Sequence, residues 1–191
     1  AKPEPVRVED YLRDEQLTDT RHEYLGGQVV AMGGASDRHG LIAGELFALL
    51  KPSARRKGCQ VFIADMKVRI DHDGASYFYY PDVLLSCDAA DRESAYYRRS
   101  PCFIAEVLSP TTERIDSREK LLTYRLLPSL REYLLLRQDR MQADFYQRRD
   151  DGQWQHQCLV NPDELLVLAC VQEQIALRDV YLDVPELIAQ G

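Results

Sequence analysis

Two carboxylates lie in stretches of this sequence that otherwise have the composition of a protein core. Asp82 follows Pro81 at the start of one apolar run, and Glu106 lies in the middle of the next, residues 102–108. Burying a carboxylate is costly unless a positive charge meets it, so two such acids suggest a shared divalent cation. Carboxylate oxygens suit Mg²⁺ or Mn²⁺, which can activate a water molecule for attack on a phosphate ester. The pattern predicts a metal-dependent enzyme of the nuclease type.

A nuclease also needs a positive group beside the attacking water or the scissile phosphate, and Lys120 is the candidate. It lies on a predicted helix over residues 117–127, and it shares a face with Tyr124 and Leu127 because the spacings are four and seven residues. That apolar stripe is expected to face the sheet. The ammonium would therefore point toward the two acids, and Tyr124 would line the same site.

Each of these residues also has a plainer interpretation. Asp82 could be a turn residue after Pro81, and Glu106 could be the buried partner of an arginine. Lys120 could be a solvated lysine on an exposed helix face. The combination of the three residues, in this order, favours a shared site over three separate structural roles.

Hydrophobic periodicity predicts the elements that must position these residues. Helices are predicted over residues 6–12, 17–24, 38–56 and 117–127, and strands over 28–32, 66–70, 77–85, 102–108, 132–136 and 141–148. Residues 88–100 are predicted to be a charged loop. This order of elements indicates an α/β fold, in which helices flank a mixed β-sheet.

Length and composition limit the class of protein. The 191 residues, 45% of them hydrophobic, predict a single domain over residues 1–191 with a sizeable core. No apolar run approaches the roughly 20 residues of a membrane helix, and no signal-peptide core is present, so we expect a cytoplasmic protein with no membrane partner. The five cysteines are scattered without a Cys-x-x-Cys pair, which predicts reduced side chains that act as small apolar residues.

The net charge of −7 argues against a protein that coats nucleic acid through bulk charge. A local basic groove is still compatible with this charge. Residues 55–57 (Arg-Arg-Lys) and 98–99 (Arg-Arg) are the candidate patches, although such a group of charges is more often a solvated surface cluster.

At this point the sequence resembles a known family. Residues 80–83 (Tyr-Pro-Asp-Val) and 106–112 (Glu-Val-Leu-Ser-Pro-Thr-Thr) are similar to motifs of the Uma-type restriction endonucleases, which belong to the PD-(D/E)xK nuclease superfamily. Residues 21–30, 116–124 and 132–136 resemble three further elements of that family. The likeness covers roughly residues 6–150, and residues 151–191 would form a C-terminal extension of the same restriction-endonuclease-like domain.

The resemblance implies roles for individual residues. Asp82 and Glu106 would bind Mg²⁺ or Mn²⁺, and Glu23, in the predicted helix over residues 17–24, would complete the acidic cluster directly or through water. Lys120 would replace the lysine that the family motif usually carries two positions after the Glu, where this chain has Leu108. DNA would be the substrate. The predicted function is a metal-dependent endodeoxyribonuclease.

Several alternatives stay open. His39 opens the long helix and would either line the site or sit at the edge of the core. A catalytically silent module that binds DNA or protein is the second candidate function, and a hydrolase of small phosphate esters is the third. A homodimer is expected because cutting both DNA strands needs two sites, and the apolar segment Leu165–Leu177 could supply its interface.

Overall fold

The computed structural model of this chain describes residues 4–109 and 116–189, with the side chains of residues 116–118 left out. The helices are α1 (Val8–Asp14), α2 (Asp37–Arg56), α3 (Asp116–Tyr124), α4 (Leu177–Val180) and α5 (Pro185–Ile188). The strands are β1 (His22–Leu25), β2 (Gln28–Ala31), β3 (Gln60–Ile63), β4 (Lys67–His72), β5 (Ala75–Tyr79), β6 (Val83–Ser86), β7 (Tyr97–Arg98), β8 (Pro101–Leu108), β9 (Glu132–Arg137), β10 (Ala143–Arg148), β11 (Trp154–Leu159), β12 (Leu165–Leu168) and β13 (Glu173–Ala176).

Two larger sheets and one hairpin organise these strands. One sheet has the order β11-β10-β9-β8-β6-β3, the second has the order β2-β1-β5-β4-β7, and β12 pairs with β13. In the six-stranded sheet β8 and β9 are parallel, and the other neighbours are antiparallel. Helix α2 and helix α3 join two different hydrophobic clusters, which meet this sheet from its opposite faces. The predicted α/β fold with a mixed sheet flanked by helices is confirmed.

Strand β8 is buried on both faces because it lies in the middle of the six-stranded sheet. Its side chains alternate between the clusters: Phe103, Ala105 and Val107 pack with α2, whereas Ile104 and Leu108 pack with α3. A strand buried on both sides needs a continuous apolar run, which explains the composition of this segment. Glu106 is the exception, and its place in the alternation puts its carboxylate on the α3 side.

The helix predicted over residues 17–24 is wrong, because β1 begins at His22 and pairs with β2 as a hairpin. The two residues of the turn, Gly26 and Gly27, have φ angles of +57° and +101°. Glycine adopts such angles without the steric cost that other residues meet, and a Gly-Gly pair is a favoured two-residue hairpin turn. The Gly-Gly turn therefore favours two paired strands, β1 and β2, over a helix that ends at Tyr24.

The single strand predicted over residues 77–85 is also wrong. It is broken at residues 80–82 into β5 and β6, which belong to different sheets. Pro81 has no N–H to offer a ladder, so the chain can leave one sheet here and enter the other. The predicted loop over 88–100 likewise contains a 3₁₀ turn, Ala89–Glu93, and the short strand β7.

Two further expectations are changed by the tertiary structure. The cysteines are not all unpaired, because Cys59 is bonded to Cys87 and Cys102 to Cys170, which leaves Cys158 as the free cysteine. The apolar segment Leu165–Leu177 is used mainly by the chain's own core. Its buried members are Leu166, Leu168, Val171, Ile175 and Leu177.

Glu132 connects the C-terminal hairpin to the six-stranded sheet. Only 1% of this residue is exposed, and its carboxylate accepts the backbone N–H groups of Ala169 at 2.7 Å and Cys170 at 3.2 Å. We expect Glu132→Ala to lower the free energy of unfolding by about 2–4 kcal/mol, because a buried side chain is lost and two part-buried backbone N–H groups lose their acceptor. Glu132→Gln, which keeps one acceptor oxygen, should lose less. Urea denaturation of both variants would measure the difference, and equal losses would contradict this role.

Candidate active site

Asp82 is positioned by the break between β5 and β6. It lies immediately before β6, and the antiparallel register that pairs Val83 with Ala105 brings it opposite Glu106. Its Oδ2 accepts the backbone N–H of Val107 at 2.7 Å. The two acids of the sequence motifs therefore lie side by side on neighbouring strands of the six-stranded sheet.

Glu106 is a buried carboxylate with two polar contacts of different kinds. The hydroxyl of Tyr124 donates to its Oε1 at 2.9 Å, and the Nζ of Lys120 lies 3.8 Å from the same oxygen. Burial raises the pKa of the Glu106 carboxyl to about 7, against the opposing effect of Lys120 and with a further contribution from the charges of Asp82 and Glu23. Burial thus favours the protonated form of this carboxyl, in opposition to Lys120.

Lys120 lies between two acids. Its Nζ donates to Glu23 Oε1 at 2.7 Å and lies 3.8 Å from Glu106 Oε1, and 18% of its side chain is exposed. Burial lowers the pKa of Lys120, but the charges of Glu106 and Glu23 outweigh that effect and leave the pKa above its ordinary value. Lys120 is therefore a desolvated and protonated lysine, not a solvated one.

Glu23 reaches this site from the second sheet. It lies in β1, opposite Val30 of β2, and not on a helix as the sequence pattern predicted. Side chains alternate along a strand, so the neighbours His22 and Tyr24 point to the other side of the hairpin. The site is consequently assembled from both large sheets, with Lys120 as the contact between them.

His39 contacts Asp82 directly. Ser36 caps α2 by accepting the His39 N–H at 3.2 Å, and the imidazole Nε2 then lies 2.8 Å from Asp82 Oδ1. This hydrogen bond is the main cause of a raised pKa for the His39 imidazole, which burial opposes. His39 therefore lines the site as the partner of an acid.

The structure thus brings all six predicted residues into one site. The set is Glu23, His39, Asp82, Glu106, Lys120 and Tyr124. Among the described residues, the partners of the Glu106 carboxylate are Lys120 and Tyr124. Within this part of the chain, Glu106 is therefore not the buried partner of an arginine. Leu108, at the usual position of the motif lysine, is 6% exposed and packs in the apolar cluster on the α3 side.

The donor set has the chemistry for a hard divalent cation but is not gathered around one point in this conformation. Among the described residues, the group of three or more His, Cys, Asp or Glu ligand atoms within 4.8 Å of one another is that of Cys87, Cys102 and Cys170. Asp82, Glu106 and Glu23 supply carboxylate oxygens, which Mg²⁺ and Mn²⁺ prefer, and the positive charge opposite them comes from Lys120 and from His39 when protonated. The raised pKa of Glu106 indicates that these cations do not fully stabilise a third negative charge. Additional positive charge at this point would favour ionised Glu106.

A second layer of polar residues supports the segment that carries Asp82. The hydroxyl of Tyr80 donates to Glu15 Oε1 at 2.8 Å and accepts from Lys67 Nζ at 3.0 Å. Glu15 also accepts the backbone N–H of His22 at 2.8 Å, next to Glu23. The sequence pattern does not predict this layer. Only the position of Tyr80 beside the Pro-Asp motif could have signalled it, since Glu15 comes from a separate part of the chain.

The two basic patches differ in the structure. Arg98 is 6% exposed, and its guanidinium donates to the carbonyls of Ser94 and Tyr97, so residues 98–99 do not form a free basic patch. Residues 55–57 are exposed at the end of α2. Of the two patches, residues 55–57 are therefore the one that could contact an extended nucleic acid in this conformation.

Comparison with known proteins relates this chain to a family. Residues 8–181 match the family model described as "Uma2: Putative restriction endonuclease". Two proteins of Synechocystis sp. are similar in sequence: "Uncharacterized protein slr1290" is 36% identical over 146 residues, covering 76% of each chain, and "Uncharacterized protein sll1609" is 32% identical over 147 residues, covering 76% of this chain and 82% of the relative.

A solved structure has the same fold. It is the crystal structure of "a putative nuclease belonging to DUF820" from Anabaena variabilis, which superposes with a TM-score of 0.76 over 93% of this chain and 98% of the other. At 15% identity this likeness concerns the fold. Among the helices of the described residues, none has the length and apolar character to cross a membrane.

Proposed function

Since this chain belongs to the Uma2 family of restriction-endonuclease-like proteins, we propose that it is a metal-dependent endonuclease that hydrolyses phosphodiester bonds of DNA. The observation that carries the proposal is the placement of a protonated Lys120 between Glu23 and Glu106, beside Asp82. A cation held by acidic ligands can activate a water molecule for attack on a phosphodiester, and a positive group beside it can stabilise the phosphate charge.

The proposed roles follow from these contacts. Asp82, Glu106 and Glu23 would hold Mg²⁺ or Mn²⁺, which when bound would lower the pKa of a water molecule and offset negative charge on the phosphate. Lys120 would hold the attacking water or stabilise the charge that develops on the phosphate oxygens. Tyr124 would orient Glu106 through its 2.9 Å hydrogen bond.

His39 would act as a positioning residue. Its hydrogen bond with Asp82 Oδ1, together with the Val107 N–H on Oδ2, holds both oxygens of this carboxylate in fixed directions. The imidazole would also balance the charge of Asp82 before a cation binds. Metal binding would then compete with the protonation of His39.

The proposal is tested by cleavage of supercoiled plasmid and of single-stranded DNA with Mg²⁺, Mn²⁺ or a chelator. We expect metal-dependent cutting, and we expect Asp82→Asn to slow it by at least about 10³-fold, because a ligand worth several kcal/mol of charge stabilisation is lost. Asp73→Asn is the matched control, since 89% of the Asp73 side chain is exposed at a distant turn. Cutting that survives Asp82→Asn would come from a contaminant and would contradict the assignment.

A catalytically silent module is the second candidate. It is favoured by the engagement of both Asp82 oxygens with protein donors, which a metal would have to displace. Folded protein that binds DNA but shows no metal-dependent cutting would support it.

The homodimer and the cytoplasmic location stay predictions. Within Leu165–Leu177, the large apolar side chains that are exposed and could contact a second copy are Leu165 and Val167.

A further inference from the structure

Four of the five cysteines meet at one end of the six-stranded sheet. Cys59 precedes β3, Cys87 follows β6, Cys102 lies in β8, and Cys170 lies in the turn between β12 and β13. The chain separations are 28 residues for the pair Cys59–Cys87 and 68 for the pair Cys102–Cys170. The cluster therefore forms only in the tertiary fold, and the spacing of the cysteines in the sequence does not predict it.

The sheet register explains why Cys59 and Cys87 are adjacent. Strands β3 and β6 are antiparallel, with Gln60 opposite Ser86, so the next positions along the ladder are Cys59 and Cys87. Their Cα atoms are 4.1 Å apart. Such directly opposed positions hold their side chains close together without any change of backbone.

A β-bulge turns Cys102 toward the same cluster. Leu85 pairs with Phe103 but Ser86 pairs with Pro101, so Cys102 is an extra residue in β8. Regular alternation would put Cys102 on the face of Ile104, whereas it packs against the cluster that contains Phe103. Bulges redirect side chains in this way and often lie next to functional sites.

Cys170 is held in place by Glu132, which accepts its N–H at 3.2 Å. Its sulfur lies 4.0 Å from that of Cys87, and the sulfur of Cys102 lies 3.6 Å from that of Cys87. The three sulfurs lie within 4.8 Å of one another, and Cys59 is bonded to Cys87. The two disulfide pairs are thus one group of four sulfurs.

We propose that, in the reduced protein, Cys59, Cys87, Cys102 and Cys170 bind one thiophilic divalent ion of the Zn²⁺ class as four thiolates. A tetrahedral site with metal–sulfur bonds of about 2.3 Å separates its sulfurs by about 3.8 Å, which is the spacing of Cys87 from Cys102 and Cys170. Each thiol releases its proton on binding, and no electrons are transferred. The metal site is reached from the two disulfides only by reduction, in which a phosphine or dithiol reductant supplies two electrons and water supplies two protons for each S–S bond broken.

The surroundings suit four thiolates. Arg92 donates to the Gly58 carbonyl at 2.7 Å, beside Cys59, and Lys57 donates to Gln172, two residues after Cys170. A cavity of about 320 Å³ is lined by Cys59 together with Lys51, Arg55 and Arg92. These positive charges favour thiolates over thiols and offset the net charge of a tetrathiolate site.

The proposed cysteine site differs from the candidate active site in its position on the sheet and in the chemistry of its ligands. Cys102 packs on the α2 face of the sheet, whereas Glu106 belongs to the α3 face. Sulfur ligands select soft ions such as Zn²⁺, and carboxylates select Mg²⁺ or Mn²⁺. The proposal is therefore independent of the nuclease function, and the two can succeed or fail separately.

The test uses the full chain, purified without oxygen in a thiol-free reductant and titrated with Co²⁺. We expect the intense charge-transfer and visible bands of tetrahedral thiolate coordination to saturate at one Co²⁺ per chain and to be abolished by one Zn²⁺; Co²⁺ bound by carboxylates at the candidate active site does not give these bands. Zn²⁺ should also raise the melting temperature by about 5–10 °C, because ligands come from four separate elements and the ion binds only the folded chain.

Cysteine variants separate this site from accidental binding. Cys87→Ser, at an exposed position, should weaken Zn²⁺ affinity by more than about 100-fold, and Cys102→Ser should do the same. Cys158→Ser is the matched control, because this exposed cysteine is outside the cluster, and it should leave affinity unchanged.

Two results would overturn the proposal. One is Zn²⁺ affinity of the reduced chain no greater than that of Cys87→Ser. The other is alkylation of the reductant-treated native chain at Cys158 alone, which would make the two disulfides the stable state. The alkylation measurement uses the native chain alone. It therefore tests the proposal even if Cys87→Ser does not fold.

Discussion

Lys120→Met is expected to reduce DNA cleavage by about 10³-fold or more, while the protein still binds Mn²⁺. Methionine keeps much of the apolar stem but removes the ammonium that lies 2.7 Å from Glu23 and 3.8 Å from Glu106. Loss of a preorganised charge at a phosphate typically costs this much, because no water can replace it in a desolvated site. Single-turnover cleavage at saturating Mn²⁺ would measure the change.

Binding of Mn²⁺ distinguishes a catalytic role for Lys120 from a structural one. Removal of a positive charge between two acids should leave Mn²⁺ affinity equal or higher at pH 8, since the lysine and the metal compete for the same negative charge. Lys51→Met on the exposed side of α2 is the control and should cleave at the native rate. Cleavage by Lys120→Met at the native rate would remove Lys120 from the proposed mechanism.

Glu106→Gln is expected to abolish cleavage and at the same time to stabilise the metal-free protein at pH 8. The pKa of Glu106 is about 7 in the folded chain against an ordinary value of 4.5, so the folded state binds this proton more tightly than the unfolded state. The stabilisation from the protonated carboxyl is complete below pH 4.5 and is lost as the pH rises to about 7. The difference corresponds to about 3 kcal/mol.

Urea denaturation in the presence of a chelator would measure this effect. The variant should be more stable than the native chain by about 3 kcal/mol at pH 8, and the two should be close at pH 4.5, because glutamine does not titrate. Glu119→Gln, an exposed neighbour of Lys120, should follow the native pH dependence. A stability difference that does not change with pH would contradict the raised pKa of Glu106.

The loss of cleavage and the gain of stability expected for Glu106→Gln have one physical cause. A carboxylate that would bind a metal must be ionised there, but in the metal-free protein its burial disfavours the charge. The fold therefore holds Glu106 in a state that is costly without a cation, and Lys120 compensates only part of that cost. Such a conflict between stability and function is typical of active sites.

The sequence alone determined the fold class and the central part of the candidate site. Asp82 and Glu106 are recognisable because each is a charge beside or within an apolar run, and Lys120 because it shares a helix face with Tyr124 and Leu127. Helix α2 and strand β8 were predicted nearly to their ends, because their periodicity depends only on neighbouring residues.

Only the tertiary structure decided which distant residues share a site. The sequence pattern predicts a helix at Glu23, whereas the Gly-Gly turn closes a hairpin that places it in β1. Glu15 and Tyr80 form a hydrogen bond although they are 65 residues apart. The cysteine cluster depends on the register of β3 against β6 and on the bulge at Cys102. Hydrophobic patterns report which face of an element is buried, but they do not report the pairing of strands. That pairing is settled by the packing of the whole chain.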